Sequence, residues 1–275
     1  MSEIEQDLLR KYNRLKKTLS EMGPVLVAYS GGVDSSLLLK TAAGVLKGRV
    51  LAVTARSPIH PGEERLQAVH GARKFGVPLE VVDFEGWKDP DFIKNSPQRC
   101  YICKKNLFRQ LKNLASSRGI PHILDGENAD DQDDFRPGAA AARELGIRSP
   151  LKESGLTKQN IRELSRILDL DTWNKPSQAC LASRFPYGRP IDEKELNQIE
   201  AAEKFIKDMG FSQVRVRHHG RLARIEIIPP EFPLLLKDDI KDKVADGLKN
   251  IGFTWVSLDL TGYRTGSMNE ALEKT

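Results

Sequence analysis

Two stretches of this 275-residue chain gather side chains able to do chemistry. The first is Ser30-Gly31-Gly32-Val33-Asp34-Ser35, set between the apolar run Val25-Leu26-Val27-Ala28-Tyr29 and a segment carrying Leu37, Leu38 and Leu39. Adjacent glycines let a backbone approach an anion with no Cβ in the way. The free amides of a helix start and the flanking hydroxyls then supply donors. No lysine closes the loop, so it is not the Walker type, and its glycine spacing is not G-x-G-x-x-G. Asp34 beside a phosphate would repel it unless a cation intervened, which points to Mg²⁺. The same residues also read as a plain Gly-rich strand-to-helix turn with a serine cap.

The second stretch is Cys100-Tyr101-Ile102-Cys103, with Cys180 the remaining cysteine. Two thiols at that spacing reach one metal or each other. A lone C-x-x-C fits a redox pair, half a zinc site or two buried apolar groups. Zinc would want a fourth ligand, and none of His60, His70, His122, His218 and His219 has a spacing that marks it as one. Three thiolates with one coordination position open suit a [4Fe-4S] cluster able to carry an external sulfide.

The elements that must position these groups follow from the apolar pattern. Residues 25–29, 50–54, 79–84 and 122–125 read as buried strands, with helices from 33, near Pro61, over 104–118, and after a Thr157 cap. Continuous apolar strands separated by helices predict a doubly wound α/β domain with a parallel sheet over roughly 22–180. After the Pro/Gly-punctuated segment 185–190 the pattern becomes a charged helix over 192–209, period-two strands at 214–217 and 223–227, a helix over 239–249 and a strand at 254–258. The expected division is therefore 1–187 and a smaller C-terminal α+β domain, 188–275.

Composition bounds the function. Lys+Arg number 43 against 38 Asp+Glu, a net charge of +5. That suits an anionic small substrate and is too dispersed for a nucleic-acid groove. Three cysteines oppose a disulfide scaffold. No apolar run approaches the roughly 18 residues a membrane span needs. Residues 1–21 space Ile4, Leu8, Tyr12, Leu15 and Leu19 as a surface helix, not a signal peptide, so a cytoplasmic protein with no membrane partner is expected.

The loop S-G-G-V-D-S after the first strand resembles the PP-loop of the ATP pyrophosphatases, which include GMP synthetase, NAD synthetase and tRNA thiolases. Gly126-Glu127-Asn128-Ala129-Asp130-Asp131 and Ser149-Pro150-Leu151 fit the same resemblance; read alone, the acidic run Asp130, Asp131, Asp133, Asp134 is equally a solvated loop or helix cap. It implies that Ala28, Ser30, Gly31, Gly32, Val33, Asp34 and Ser35 hold ATP with Mg²⁺, and that a substrate oxygen attacks the α-phosphorus as pyrophosphate leaves. The segment 176–188, with Cys180, is similar to that carrying the sulfur-donating cysteine of the LarE family. So are Phe135-Arg136-Pro137-Gly138, Val214-Arg215-Val216-Arg217, Ala223-Arg224-Ile225-Glu226 and Leu258-Asp259-Leu260.

This second resemblance covers nearly the whole chain. It implies an ATP-dependent sulfur transferase that adenylates the carboxylates of pyridinium-3,5-biscarboxylic acid mononucleotide and converts them to thiocarboxylates for nickel-pincer nucleotide synthesis. Cys180 and Arg184 would be catalytic with Asp34. Arg215 and Arg217 would contact the substrate phosphate, and Glu203 and Glu226 would lie near a divalent metal or a subunit interface. Read alone, these strand residues are equally solvent-facing charges. Single-cysteine members give up their own sulfur; Cys100, Cys103 and Cys180 resemble instead the branch holding a [4Fe-4S] cluster. A homo-oligomer, a hexamer, is also implied. Two other readings stay open: a tRNA thiolase, for which a basic-aromatic RNA surface is missing, and a non-catalytic nucleotide-binding module.

Overall fold

Val25 and Val27 enter one apolar cluster while Leu26, between them, enters another. A strand with no wet face needs helices on both sides, which is the environment of a parallel sheet. The computed structural model describes residues 3–132, 137–176, 179–264 and 266–271. In chain order its elements are α1 (Glu3–Ser20), β1 (Val25–Ala28), α2 (Val33–Leu46), β2 (Val50–Arg56), α3 (Gly62–Lys74), β3 (Leu79–Asp83), α4 (Pro90–Ile93), α5 (Arg99–Ser117), β4 (His122–Leu124), α6 (Pro137–Glu144), α7 (Pro150–Glu153) and α8 (Lys158–Ile167). There follow α9 (Glu193–Asp208), β5 (Val214–His219), β6 (Leu222–Ile227), α10 (Phe232–Leu235), α11 (Asp238–Asn250) and β7 (Trp255–Leu258). They form two compact units, Met1–Lys88 with Cys100–Gln178 and Asp89–Arg99 with Ala179–Thr275.

The first unit is the expected α/β layer structure. Its four strands are all parallel, in the order β3-β2-β1-β4, with Val25 opposite both Val50 and His122. Leu15 and Leu19 of α1, Leu37, Leu38 and Leu39 of α2 and Ile161 of α8 fill the cluster on one face. Phe108 and Leu111 of α5 with Ala142 of α6 fill the other. From β1 the chain moves outward to β2 and β3, then returns to place β4 on β1's other side. Such a reversal leaves a crevice beyond the carboxyl ends of the two central strands, where open α/β sheets take their ligands.

In the second unit β5 and β6 pair antiparallel and β6 and β7 parallel, with α11 in the crossover. Asp192 caps α9 by accepting from the amides of Lys194 and Glu195. Asp89–Arg99 joins this unit through Gly188 N to Asn95 O (3.0 Å), Ile191 N to Ile93 O (2.9 Å) and Asn95 Nδ2 to Pro186 O (2.7 Å). Those ties run across the Pro/Gly punctuation from which the division at 187/188 was drawn. The chain thus enters the second unit twice, first by an excursion whose turn residues, Asp89-Pro90 and Asn95-Ser96-Pro97, do not by themselves announce a change of unit.

Candidate functional site

The Ser30–Ser35 loop sits at the end of β1, and the loop Gly126–Asp131 follows β4, so the two flank the crevice. Gly32 precedes α2 with no side-chain cap, leaving the first amides of that helix open to an anion. Ser30 Oγ lies 3.1 Å from Ser35 Oγ, which itself donates to Gly32 O at 3.2 Å. Gly31 has φ +71°, and a Cβ there would meet the backbone N and Cα of Ala68 at 3.1 Å. Gly126 is equally close-packed: its Cβ would lie 3.1 Å from the amide of Ser35. Val33 is buried at the start of α2, and Ala28, half-buried, packs with the α5 side of the sheet.

Asp34 already has a cationic partner in the chain. Lys158 Nζ donates to Asp34 Oδ2, and Asn128 Nδ2 to Oδ1 at 3.4 Å. Lys158 opens α8, whose start is fixed by a capping box between Thr157 and Asn160, and its amide donates to Asp130 Oδ2 at 2.8 Å. Asp131 is buried and accepts from Asn128 N. The described part of the acidic run is therefore a set of backbone caps; Asp133 and Asp134, like Phe135 and Arg136, lie outside the described residues. A second lysine reaches the loop from the far side: Lys175 Nζ donates to Gly31 O at 3.0 Å. Burial holds its ammonium below the usual lysine range, against the pull of Glu64 and Glu63. Neither lysine was found from the sequence. A cation in the first turn of a Thr-capped helix, where acids are favoured, was the available signal for Lys158.

Beneath this loop Asp125 is buried and accepts from Ser149 Oγ at 2.7 Å. Burial raises its carboxyl, with Lys104 and Ser149 opposing. Ser149 also reaches Glu127 Oε2 at 3.4 Å, so the segment before α7 is tied to the acidic loop.

The second unit holds the remaining candidates. Arg215, Arg217 and Glu226 are 5%, 5% and 0% exposed, which disposes of solvent-facing strand charges. Val214 and Val216 face the apolar cluster with α9. The arginines alternate to the opposite face. There Arg217 donates to Glu226 Oε2 (2.6 Å), Ser267 Oγ (2.9 Å) and Ser183 O (3.2 Å). Arg215 lies over the Tyr263 ring, 5.3 Å from its centroid, and burial followed by the Arg184 charge draws its guanidinium down. Both oxygens of Glu226 are engaged, the other by Ser267 and Arg224.

Arg184 is fully enclosed. Its Nε and Nη2 grip Glu203 at 2.7 and 2.9 Å, and Nη1 donates to Ala179 O (2.8 Å), Ser183 Oγ (2.8 Å) and Cys180 O (3.2 Å). Glu203 also accepts from Val216 N at 3.0 Å. Burial alone would raise its carboxyl; the charges of Arg184 and Arg215 outweigh this and leave it below the ordinary range. What Arg184 holds is the backbone on which Cys180 is mounted. Cys180 itself is half-buried just before the short turn Leu181–Arg184. Cys100 and Cys103 fall in the opening turns of α5, which starts five residues earlier than its expected bound at 104, and Cys100 is exposed. These two thiols belong to the first unit and Cys180 to the second. Among the described residues no three His, Cys, Asp or Glu side chains are grouped so as to hold a metal ion.

His218, given no role from sequence, is a buried structural group. Arg189 Nη1 lies 2.9 Å from its Nδ1 and can only donate, so the ring proton sits on Nε2, 3.1 Å from Gln198 Oε1. Phe185 stacks on the ring at 5.4 Å. Glu195, 3.9 Å away, is itself taken by Arg189. Burial first, and then the Arg189 charge, lower its pKa to about 4. The unfolded ring, near 6.5, binds the proton more tightly than the folded one. This contribution is complete above pH 6.5 and is lost as pH falls toward 4. At pH 5 the part already lost amounts to about 2 kcal/mol. Urea unfolding at pH 7.5 and 5.0 should show that loss in the native chain and a smaller one in His218→Gln; equal losses would remove His218 as the cause.

The parallel sheet defines an α/β protein of the Rossmann-like class, and its glycine loop at the switch point has the geometry suited to an anion. No family model matches the chain. It is 37% identical over 268 residues, 97% of its length and 96% of the relative's, to the pyridinium-3,5-bisthiocarboxylic acid mononucleotide synthase of Lactiplantibacillus plantarum. It is also 40% identical to an uncharacterized protein of Synechocystis over 96% of its length and 98% of the relative's. An uncharacterized protein of Methanocaldococcus jannaschii is 31% identical over 94% and 98%. The chain belongs to the LarE family, that of the synthase. Among the described residues no helix is long and apolar enough to cross a membrane.

Proposed function

We propose that this chain is an ATP-dependent sulfur transferase that makes pyridinium-3,5-bisthiocarboxylic acid mononucleotide from the corresponding biscarboxylic acid. The observation that carries this reading is 37% identity to a synthase of that name over 97% of the chain. The geometry supports it. The Ser30–Ser35 loop, a PP-loop by pattern, offers open amides and hydroxyls to the β,γ-pyrophosphate of ATP, and Lys175 adds positive charge behind Gly31. Asp34 suits Mg²⁺, which binds through one or two carboxylates together with substrate phosphates and needs no all-protein cage. Arg217 Nε is buried with no hydrogen-bond partner among the described residues, a donor available to the phosphate of the substrate.

The reaction needs two displacements. A substrate carboxylate oxygen attacks the α-phosphorus, the bond to the bridging oxygen breaks, and pyrophosphate leaves into the loop. A sulfur nucleophile then attacks the acyl carbon, and AMP departs with the carboxyl oxygen. Loop amides and lysines hold the departing charge, which makes positioning and electrostatics the main contribution of this unit. Cys180 is the sulfur-bearing residue, and Arg184 fixes its backbone. The donor chemistry of Cys100, Cys103 and Cys180 fits an iron–sulfur cluster, held by thiolates with one iron left for hydrosulfide. The protein works in the cytoplasm, where such thiols stay reduced.

The test is anaerobic turnover with the biscarboxylic acid mononucleotide, ATP and Mg²⁺. Pyrophosphate release with thiocarboxylate formation is expected; ATP binding without pyrophosphate release would overturn the reading in favour of a nucleotide-binding module. Iron analysis settles the sulfur route. About four irons per chain and an unchanged chain mass are expected, whereas loss of the elements of H₂S from Cys180 in iron-free protein would overturn the cluster. Gly31→Ala provides a check on the loop. The strained φ and the contact with Ala68 should cost about 1–3 kcal/mol and weaken ATP binding measured by calorimetry. Unchanged ATP affinity would exclude this loop as the phosphate site.

A further inference from the structure

Lys158 stands where helix electrostatics disfavour it. The first turn of a helix carries the positive end of the macrodipole, so acids belong there and cations do not. Yet α8 opens with a lysine and has no acid in its first turn. Its position is not the result of a frayed end, because the Thr157–Asn160 capping box closes on both sides of it. Two contacts offset the cost: Asp130 accepts the Lys158 amide, and Asp34 accepts its Nζ. Asp34, in turn, sits in the first turn of α2 with Asn128 on its other oxygen. A local rule broken at a ligand crevice is the usual mark of a functional constraint.

The pairing has a consequence for binding. In this contact Lys158 neutralises the Asp34 carboxylate. When a divalent cation arrives with a triphosphate, it competes for the same carboxylate oxygen. An ammonium on a four-carbon stem, about one-third exposed, has the freedom to let go and take a phosphate oxygen instead. We propose that Lys158 is the exchangeable counter-ion of Asp34. It occupies the carboxylate in the nucleotide-free protein and transfers to the β,γ-phosphates when the cation takes its place. This rests on the reading that the loop binds ATP with a divalent metal.

Mn²⁺ serves as the probe metal, followed by the electron paramagnetic resonance of the free ion. α,β-Methylene-ATP and AMP serve as ligands in calorimetry. The variants are Lys158→Met and Lys158→Gln, with Lys158→Arg keeping the charge and thermal melts verifying folding. In nucleotide-free protein, removing the competing ammonium should tighten Mn²⁺ binding about tenfold, the lower end of a charge-assisted contact. At saturating Mn²⁺ the same variants should bind α,β-methylene-ATP about tenfold more weakly, with AMP unaffected and Lys158→Arg close to wild type. Unchanged or weaker Mn²⁺ binding in both neutral variants would overturn the exchange, as would equal losses for AMP and the triphosphate. If the wild-type chain binds no triphosphate, the ATP reading fails. The Mn²⁺ comparison on the empty protein still decides whether Lys158 competes for Asp34.

Discussion

Cys180→Ala should abolish sulfur transfer while ATP consumption continues. In the proposed reaction the first displacement needs only the phosphate loop and a substrate carboxylate, so pyrophosphate release should persist. The acyl adenylate then meets water instead of sulfur and returns to the carboxylate, which makes each cycle futile. Thiocarboxylate formation should drop about 10³-fold or more, as when an enzyme loses its nucleophile, while pyrophosphate and AMP accumulate in equal amounts. The other two thiols separate the possible sulfur routes. Cys100→Ser and Cys103→Ser should match Cys180→Ala if the three cysteines share a cluster, and should retain a single turnover if Cys180 gives up its own sulfur. Thiocarboxylate made at the wild-type rate by Cys180→Ala would remove this residue from the chemistry altogether.

The legible and illegible parts of this molecule differ for physical reasons. The strands of the parallel sheet are short apolar runs, and a sheet covered on both faces demands them, so β1 to β4 were readable within a residue or two. Thr157 and Asp192 announced helix starts because a cap is a local hydrogen bond. The charges of β5 misled, since period-two patterning reports exposure only when one face is wet. Here the Arg215 and Arg217 face is closed over by Ser183, Tyr263 and Ser267. Lys158 and Lys175 reach the loop from 124 and 144 positions away, among 43 cationic residues; only Lys158 carries a local signal, its place in the first turn of a capped helix, and that signal does not name its partner. The Asp89–Arg99 excursion was hidden for the same reason. It is held to 186–191 by two backbone hydrogen bonds and one from the Asn95 side chain, and the backbone bonds leave no trace in residue type.

Glu203 should prove the most costly single side chain to remove. It is the common acceptor for Arg184 and the Val216 amide, and it lowers the electrostatic cost of Arg215 nearby. Val216 lies on an edge strand, so the carboxylate also satisfies one amide of that edge. Glu203→Leu leaves buried guanidinium groups without their counter-charge, a loss of about 3–5 kcal/mol by urea unfolding. The cost comes from the stranded charge more than from the missing bonds. The pair Arg184→Met with Glu203→Leu should therefore be more stable than Glu203→Leu alone, although it lacks one more polar side chain. Purely additive losses would show that the ion pair is not what couples these residues. Activity should not recover in the double variant, because the carbonyls of Ala179 and Cys180 then lack the Arg184 donor that fixes the cysteine. The sign of the pH dependence is also set. The Glu203 carboxyl is held below its ordinary range, so its stabilisation is complete above about pH 4.5 and disappears as pH falls further. Loss between pH 6.5 and 4.5 belongs instead to the buried histidines, His218 and His60, both lowered to about 4, so the Glu203 and His218 variants should remove separate parts of one acid-unfolding curve.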